Sequence, residues 1–332
     1  MKQQITSDQK IFIAGAKGMV GKSICRGILR RYPNIELLTP SRNELNLTNS
    51  EDVNLWFKKN KPSIVIISAA RVGGISANAT KPYDFILENL KIQNNIIESS
   101  WKYNVKRLLF LGSSCIYPKF SQQPIKEDYL LKGELEPTNE FYALAKIAGI
   151  KLCESLRKQH SFDAICLMPC NLYGIGDNYH KYDSHVIPAL IRKISEAKEK
   201  RLEHITCWGS GYPLREFLYV DDLADACIYV LNNWHPSDNF IKEKNLDNLP
   251  WLNVGSNEEI SIKDLALRIS NIVGFNGNIY WDESKPDGTP RKKLDTTRLN
   301  KLGWFPKMNL DKGLKITYED YKNSLINNTL RM

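Results

Sequence analysis

A chain of 332 residues with 42 % apolar and 25 % charged side chains can bury a large core and, on length alone, suggests about two domains. Its longest apolar run, Ile64–Ile67 continuing into Ser68-Ala69-Ala70, is far too short to cross a bilayer, and polar Met1–Gln9 has no apolar segment behind it to act as a signal; a cytoplasmic protein with no membrane partner is expected. The formal net charge of +9 comes from lysines and arginines spread along the chain, which reads as a solvated basic surface attracting an anionic small substrate, with no nucleic-acid partner expected.

Lys10–Ala14 reads as a short buried strand, followed at once by Gly15-Ala16-Lys17-Gly18-Met19-Val20-Gly21. This is G-x-x-G-x-x-G running into helix-compatible residues from Lys22 to Arg31. Glycines at a strand-to-helix turn let backbone approach a pyrophosphate, although tight turns alone also use them. A second strand, Ile35–Thr39, ends about 20 residues on, where an acidic side chain would meet a free ribose 2′-hydroxyl. The chain offers Arg42-Asn43-Glu44-Leu45-Asn46-Leu47 instead. Arg42 can fork onto a 2′-phosphate, which favours NADP over NAD; the alternative is a surface arginine near a helix cap.

Asp52–Asn60 reads as a helix and Ile64–Ile67 as a strand. Pro82–Tyr103 is a long helix with Phe85, Leu90, Ile96 and Ile97 inward. The strand Lys106–Leu111 then stops at Gly112-Ser113-Ser114-Cys115, a candidate site at a strand end or simply a polar turn. Tyr142 and Lys146, at i and i+4, share one face of an apolar-rich helix running to about Lys158. An ammonium beside a phenol is expected to lower its pKa and make it a proton carrier near neutrality. Alone, Y-x-x-x-K is common; behind a glycine turn and a serine-bearing strand end it gains weight. Alternating strands and helices predict a doubly wound parallel α/β sheet. Phe162–Met168 continues it, His185 precedes a helix to about Lys200, and Asp221-Asp222 opens another. The stretch from Leu231 to Pro250 is polar and reads as a loop. The seven cysteines, at 25, 115, 153, 166, 170, 207 and 227, form no C-x-x-C pair, so neither a disulfide framework nor a metal site is expected.

The glycine motif, the strand-end serine and Y-x-x-x-K together resemble the extended short-chain dehydrogenase/reductases. Narrower strings resemble the branch of GDP-L-fucose synthases: Gly15–Gly21, Arg42–Leu47, Leu111–Pro118, Glu136–Gly149, Asn171–Gly174, Ser184–Leu190, Trp208–Gly211, Arg215–Phe217 and Ser284–Lys292. The likeness runs from about Ile11 to Phe305. It departs at Cys170, where the branch has threonine, at Ile175-Gly176, and at Arg71 in place of lysine.

That resemblance implies a Rossmann sheet with a smaller carboxyl-terminal α/β substrate domain. The expected division is 1–170 for NADP, joined by 212–232 and about 250–256, with 171–211 and 257–332 for substrate. It implies NADPH-dependent 3,5-epimerisation and 4-reduction of GDP-4-keto-6-deoxy-D-mannose to GDP-L-fucose by a homodimer. The implied catalytic residues are Cys115 as base, His185 as acid on the other face, Ser113 on the C4 oxygen, Tyr142 as proton donor and Lys146 on phenolate and ribose. Cofactor contacts are implied for Gly15–Gly21, Arg42–Leu47, Leu111, Gly112, Ser113, Ser114, Lys146, Pro169, Cys170, Asn171, Leu172 and His185. Lys193, Trp208, Arg215 and Asp287 are implied to hold the GDP-sugar; on residue type alone, Trp208 could stack on a base or pack in a core, and Arg215 could bind phosphate or sit in solvent. Two rivals remain. Another nucleotide-sugar 4-reductase or 4-epimerase would not need Cys115 and His185 together. An NADPH-sensing regulator would not need Tyr142 and Lys146.

Overall fold

The computed structural model describes residues 5–236, 249–285 and 287–332. From the amino end the elements are β1 (Lys10–Ala14), α1 (Met19–Arg31), β2 (Glu36–Leu38), α2 (Ser50–Asn60), β3 (Ile64–Ile67), α3 (Ile75–Thr80), α4 (Pro82–Lys102), β4 (Arg107–Leu111), α5 (Glu140–His160) and β5 (Ala164–Pro169). Then come β6 (Asn171–Tyr173), α6 (Val186–Glu199), β7 (His204–Trp208), β8 (Leu214–Tyr219), α7 (Val220–Asn233) and β9 (Trp251–Val254). The chain closes with β10 (Glu259–Ser261), α8 (Ile262–Val273), β11 (Asn278–Asp282), β12 (Arg291–Lys292), α9 (Thr297–Lys301) and α10 (Leu310–Ile326).

Six strands form one parallel sheet in the order β2-β1-β3-β4-β5-β9. Every residue of β3, β4, β5 and β9 is buried, as expected when helices cover both faces. Helices α1 and α7 pack on each other, and α4 packs on α2 and α5. Local chemistry sets the helix ends. Asn49 caps α2 by accepting from the Glu51 and Asp52 amides at 2.9 and 3.2 Å, and Arg30 and Arg31 sit in the last turn of α1, where the helix dipole favours cations. The winding reverses between β1 and β3, so the crevice at their carboxyl ends is where such a sheet receives a ligand.

The strands outside this sheet carry a second core. β8 pairs with β6, β10 and β12, and β7 pairs with β11. Ile187, Ile191 and Ile194 of α6 pack there with Leu265 and Ile269 of α8 and Leu314 of α10. The 212–232 segment splits: α7 lies on α1, whereas β8 stays out of the central sheet because its pairing edges are taken by β6, β10 and β12. Leu90 is only half-buried on α4, and Asn89 is buried in its place, its side-chain amide donating to the carbonyls of Arg71 and Phe85. Of the expected loop over 231–250, residues 231–233 finish α7 and 237–248 lie outside the described residues, as does Pro286 of the basic segment. Among the described residues, no helix is long and apolar enough to cross a membrane.

Candidate active site

At the end of β1 the backbone itself makes the site. Gly15 has φ +86°, and a Cβ there would lie 2.7 Å from the Ala69 nitrogen behind β3. Gly21 is tighter still, since a Cβ would meet the Gly15 carbonyl at 2.1 Å. The Gly18 amide donates to that same carbonyl at 3.0 Å and closes the turn. Gly18 then caps α1 without a side-chain bond, and no acidic residue occupies the first turn. Met19 and Val20 thus start a helix whose leading amides face an uncharged rim, with Lys17 exposed beside it. This arrangement fits the anionic pyrophosphate of a dinucleotide.

Arg42, Asn43, Glu44 and Asn46 are exposed past β2. The Glu44 carboxylate accepts from the Ser41 amide at 2.6 Å, which holds that carboxyl below its ordinary range and shapes the turn presenting Arg42. Leu45 anchors the turn in the core, and Leu47 accepts from Asn95 of α4. On the far side of the crevice, Pro169 ends β5 and the Cys170 amide bonds to Val254 of β9 at 2.9 Å. Asn171 donates to the Glu216 carbonyl at 2.9 Å, Leu172 is half-buried, and Cys170 is buried with its thiol pushed up by desolvation.

Four of the five candidate catalytic groups meet where β4 ends. Leu111 is the last strand residue; at Gly112 a Cβ would lie 2.3 Å from Met168 Sδ, so the chain passes β5 closely. Ser114–Ile116 then form one 3₁₀ turn capped by Ser113, whose hydroxyl accepts from the Cys115 amide at 3.2 Å. Ser113 also hydrogen-bonds Tyr142, so one side chain joins the phenol to the cysteine turn. Buried Ser114 packs behind it. Lys146 is buried one turn along α5, donating to the Leu111 carbonyl at 2.8 Å with its ammonium 5.9 Å from the Tyr142 ring. Burial pulls Lys146 down to about 8. The expected lowering of the Tyr142 phenol is reversed: its pKa is raised, first by burial and then by nearby Cys115, outweighing the Ser113 hydrogen bond.

His185 stands apart, at the amino end of α6. The residue is exposed to solvent, yet the protein around its ring lowers its pKa by desolvation. Among the described residues, no hydrogen bond joins its side chain to the other four. The loop before it packs on the turn after β3, where the Gly74 amide donates to Asp183 at 3.3 Å. Helix α3 leaves that same turn and packs against Pro137–Asn139, beside Cys115.

The residues expected to hold the sugar nucleotide lie on and around α6, β7 and β8. Lys193 of α6 donates to the Thr206 carbonyl on β7, and Trp208 at the end of β7 is 65 % exposed, a free aromatic face and not a core side chain. Asp287 accepts from the amide and hydroxyl of Ser210 at 3.0 and 2.6 Å, clamping the Gly209–Gly211 turn that follows Trp208. Arg215 lies on β8 within electrostatic reach of Cys115, Asp287 and Glu136, its pKa lowered by burial. Two further groups reach the Cys115 sulfur: Asn139 Nδ2 at 3.5 Å and Lys292 Nζ at 3.7 Å. Both lie within the strings that carry the resemblance, which implies a role for neither. Asn139, three residues before Tyr142, carried a usable signal in that spacing; Lys292 did not. Among the described residues, no cluster of His, Cys, Asp or Glu could hold a metal ion.

A parallel sheet opening on a glycine turn, with Ser113, Tyr142 and Lys146 at its fourth strand, defines a nicotinamide-dependent oxidoreductase of the short-chain type. The model of the NAD-dependent epimerase/dehydratase family matches residues 11–240, and the chain belongs to that family. GDP-L-fucose synthase 1 of Arabidopsis thaliana is 50 % identical over 96 % of this chain and 94 % of that protein. A GDP-6-OMe-4-keto-L-xylo-heptose reductase from Campylobacter jejuni has the same fold at TM-score 0.90 and 35 % identity, over 97 % of this chain and 99 % of that one. A GDP-mannoheptose C4 reductase from the same organism, with NADP bound, gives 0.85 and 37 %, over 96 % and 99 %.

Proposed function

We propose that this protein converts GDP-4-keto-6-deoxy-D-mannose to GDP-L-fucose by NADPH-dependent epimerisation at C3 and C5 and reduction at C4. The observation that carries the reading is the turn at the end of β4. It sets the Ser113 hydroxyl and the Cys115 thiol two residues apart beside Tyr142, where the first would hold a ketone oxygen and the second, as thiolate, would take a proton. A plain reductase needs the first and the phenol, but not the thiol. The 50 % identity to a plant GDP-L-fucose synthase over nearly the whole chain supports the same substrate class, and the NADP-bound relative supports the cofactor.

The 4-keto group acidifies the hydrogens on C3 and C5. Cys115 as thiolate removes each proton, the enolate oxygen is held by Ser113, and His185 returns a proton from the opposite face. His185 delivers that proton as imidazolium and regains it from solvent, to which it is exposed. When bound, NADPH supplies hydride to C4, leaving as NADP. Tyr142 protonates the oxygen that gains charge, and Lys146, held by the Leu111 carbonyl beside the phenol, would also bind the ribose of the cofactor. Gly15–Gly21 would hold the pyrophosphate, Arg42 the 2′-phosphate, and Pro169–Leu172 the nicotinamide side. Lys193, Trp208 and Arg215 would bind the GDP moiety. Asp287 would act chiefly by setting the Trp208 turn.

The proposed working unit is a cytoplasmic homodimer, with residues 1–170 holding cofactor and the 171–211 and 257–332 segments holding sugar. Exposed Trp101 on α4, and Phe141 and Leu144 on α5, support a dimer joined through those helices. The deciding experiment gives purified protein GDP-4-keto-6-deoxy-D-mannose and NADPH in deuterated water and identifies the product sugar. GDP-L-fucose labelled at C3 and C5 is expected. Cofactor oxidation without inversion at those carbons would move the protein to the simple-reductase class.

A further inference from the structure

Strand residues alternate sides, and the β12 segment shows what that does. Arg291 pairs with Glu259 at 2.6 Å, and Lys293 reaches the same carboxylate at 3.9 Å. Lys292 between them points the other way. Among the described residues its partner is Cys115 Sγ, at 3.7 Å.

The backbone behind Lys292 is fixed at several points. It stands opposite Arg215 in the parallel β12–β8 pair. The Lys293 amide donates to Gln123 at 2.9 Å, the Lys293 carbonyl accepts from Ile125 at 2.7 Å, and the Leu294 amide donates to buried Glu216 at 3.0 Å. Thr289 bonds buried Glu136 at 3.2 Å, and that carboxylate also pairs with Lys119 at 3.1 Å, tying the segment to the turn that presents Asn139. So the ammonium does not reach the sulfur by chance extension of a loose surface chain.

We propose that Lys292 is a positioning residue for the Cys115 base: with Asn139 it holds the sulfur as thiolate and offsets the negative charge that passes to the sugar when a proton is taken. The proposal rests on the epimerase-reductase reading above. An ammonium in contact favours the anion, and the Asn139 amide donates to it. The other groups facing this pocket are Arg215 from β8, itself near Asp287 and Glu136, and the phenol of Tyr142 from α5. Arg215 adds to the positive field without forming the contact.

The test needs no sugar. The full-length protein is alkylated with iodoacetamide from pH 6 to 10, and the peptide containing Cys115 is followed by mass spectrometry, which separates it from half-buried Cys25. Wild type is compared with Lys292→Met, Lys292→Gln and Lys292→Arg, each checked for NADPH binding. The rate at pH 7 is expected to fall roughly tenfold in the Met and Gln variants, with the profile shifted to higher pH, and to recover largely in Lys292→Arg. Unchanged profiles in whichever neutral variant retains NADPH binding would overturn the proposal; should neither retain it, a Lys292→Arg profile that departs from wild type as far as Cys115 in unfolded protein would do the same. Because no substrate is present, failure here leaves the product assay standing, and failure of the product assay leaves this result readable.

Discussion

The two rims of the crevice are made differently. The rim after β1 is backbone: Gly15 and Gly21 work because nothing projects from them, and the leading amides of α1 supply the field. The rim formed by β8, β12 and the cysteine turn is side chain: Arg215, Lys292, Asn139 and Asp287 work by charge and reach. A backbone site fails when an atom is added, whereas a side-chain site fails when a charge is removed, and it fails one step at a time.

Gly21→Ala should do the most damage, because the new Cβ would sit 2.1 Å from a carbonyl that belongs to the turn itself. NADPH affinity by fluorescence titration should fall on the order of 100-fold, or the protein should lose its fold. An affinity within threefold of wild type would mean the turn is not the cofactor rim. On the other rim, single losses should separate the half-reactions. Tyr142→Phe should cut NADPH oxidation by roughly 100-fold or more while exchange of C3 and C5 protons survives, and Cys115→Ser should do the reverse with NADPH binding intact. Parallel losses in both assays would show that the two groups act as one. Arg42→Ala should lower the ratio of kcat/KM for NADPH over NADH by roughly tenfold, and a constant ratio would put recognition of the 2′-phosphate elsewhere.

The seam between the rims is read by stability and not by turnover. Buried Glu127 accepts from the Asn253 amide at 3.0 Å, and the Asn253 side chain bonds Tyr117, Ile125 and Asp295, reaching both the cysteine turn and the segment after Lys292. Desolvation raises Glu127 to about 7. Since the folded carboxyl binds its proton more tightly than the unfolded one, stability should fall as pH rises from about 4.5 through 7, by at most about 3 kcal/mol. Glu127→Gln should flatten that slope in urea titrations at pH 5 and 8. An unchanged slope would assign the pH dependence to another group, with buried Asp177, raised to about 7, the next to examine.

Much of the turn proposed as the cofactor rim is legible in the chain because its signals are local. The glycine spacing, the buried strand before it and the i, i+4 placement of Tyr142 and Lys146 all lie within one turn or one strand-turn-helix unit. The pairing of Arg215 with Lys292 depends on the register of two strands more than 70 residues apart, and no periodicity in either records it. The ionisation of Tyr142 was hidden for another reason. A neighbouring ammonium argues one way and burial the other, and only the packed depth of the phenol shows which prevails. Asp287 is matched to substrate by its string alone, whereas its bonds to Ser210, which clamp the Trp208 turn, show only once the chain is folded.

The thiol and its ammonium are 177 residues apart in the chain, and β12 is held in place by pairing with β8. During synthesis the glycine turn, β4 and α5 emerge long before Lys292. A chain in the course of being made can therefore form the glycine turn while Cys115 still lacks the ammonium proposed to hold it as thiolate. On the proposed reading, proton abstraction by Cys115 waits for the finished molecule.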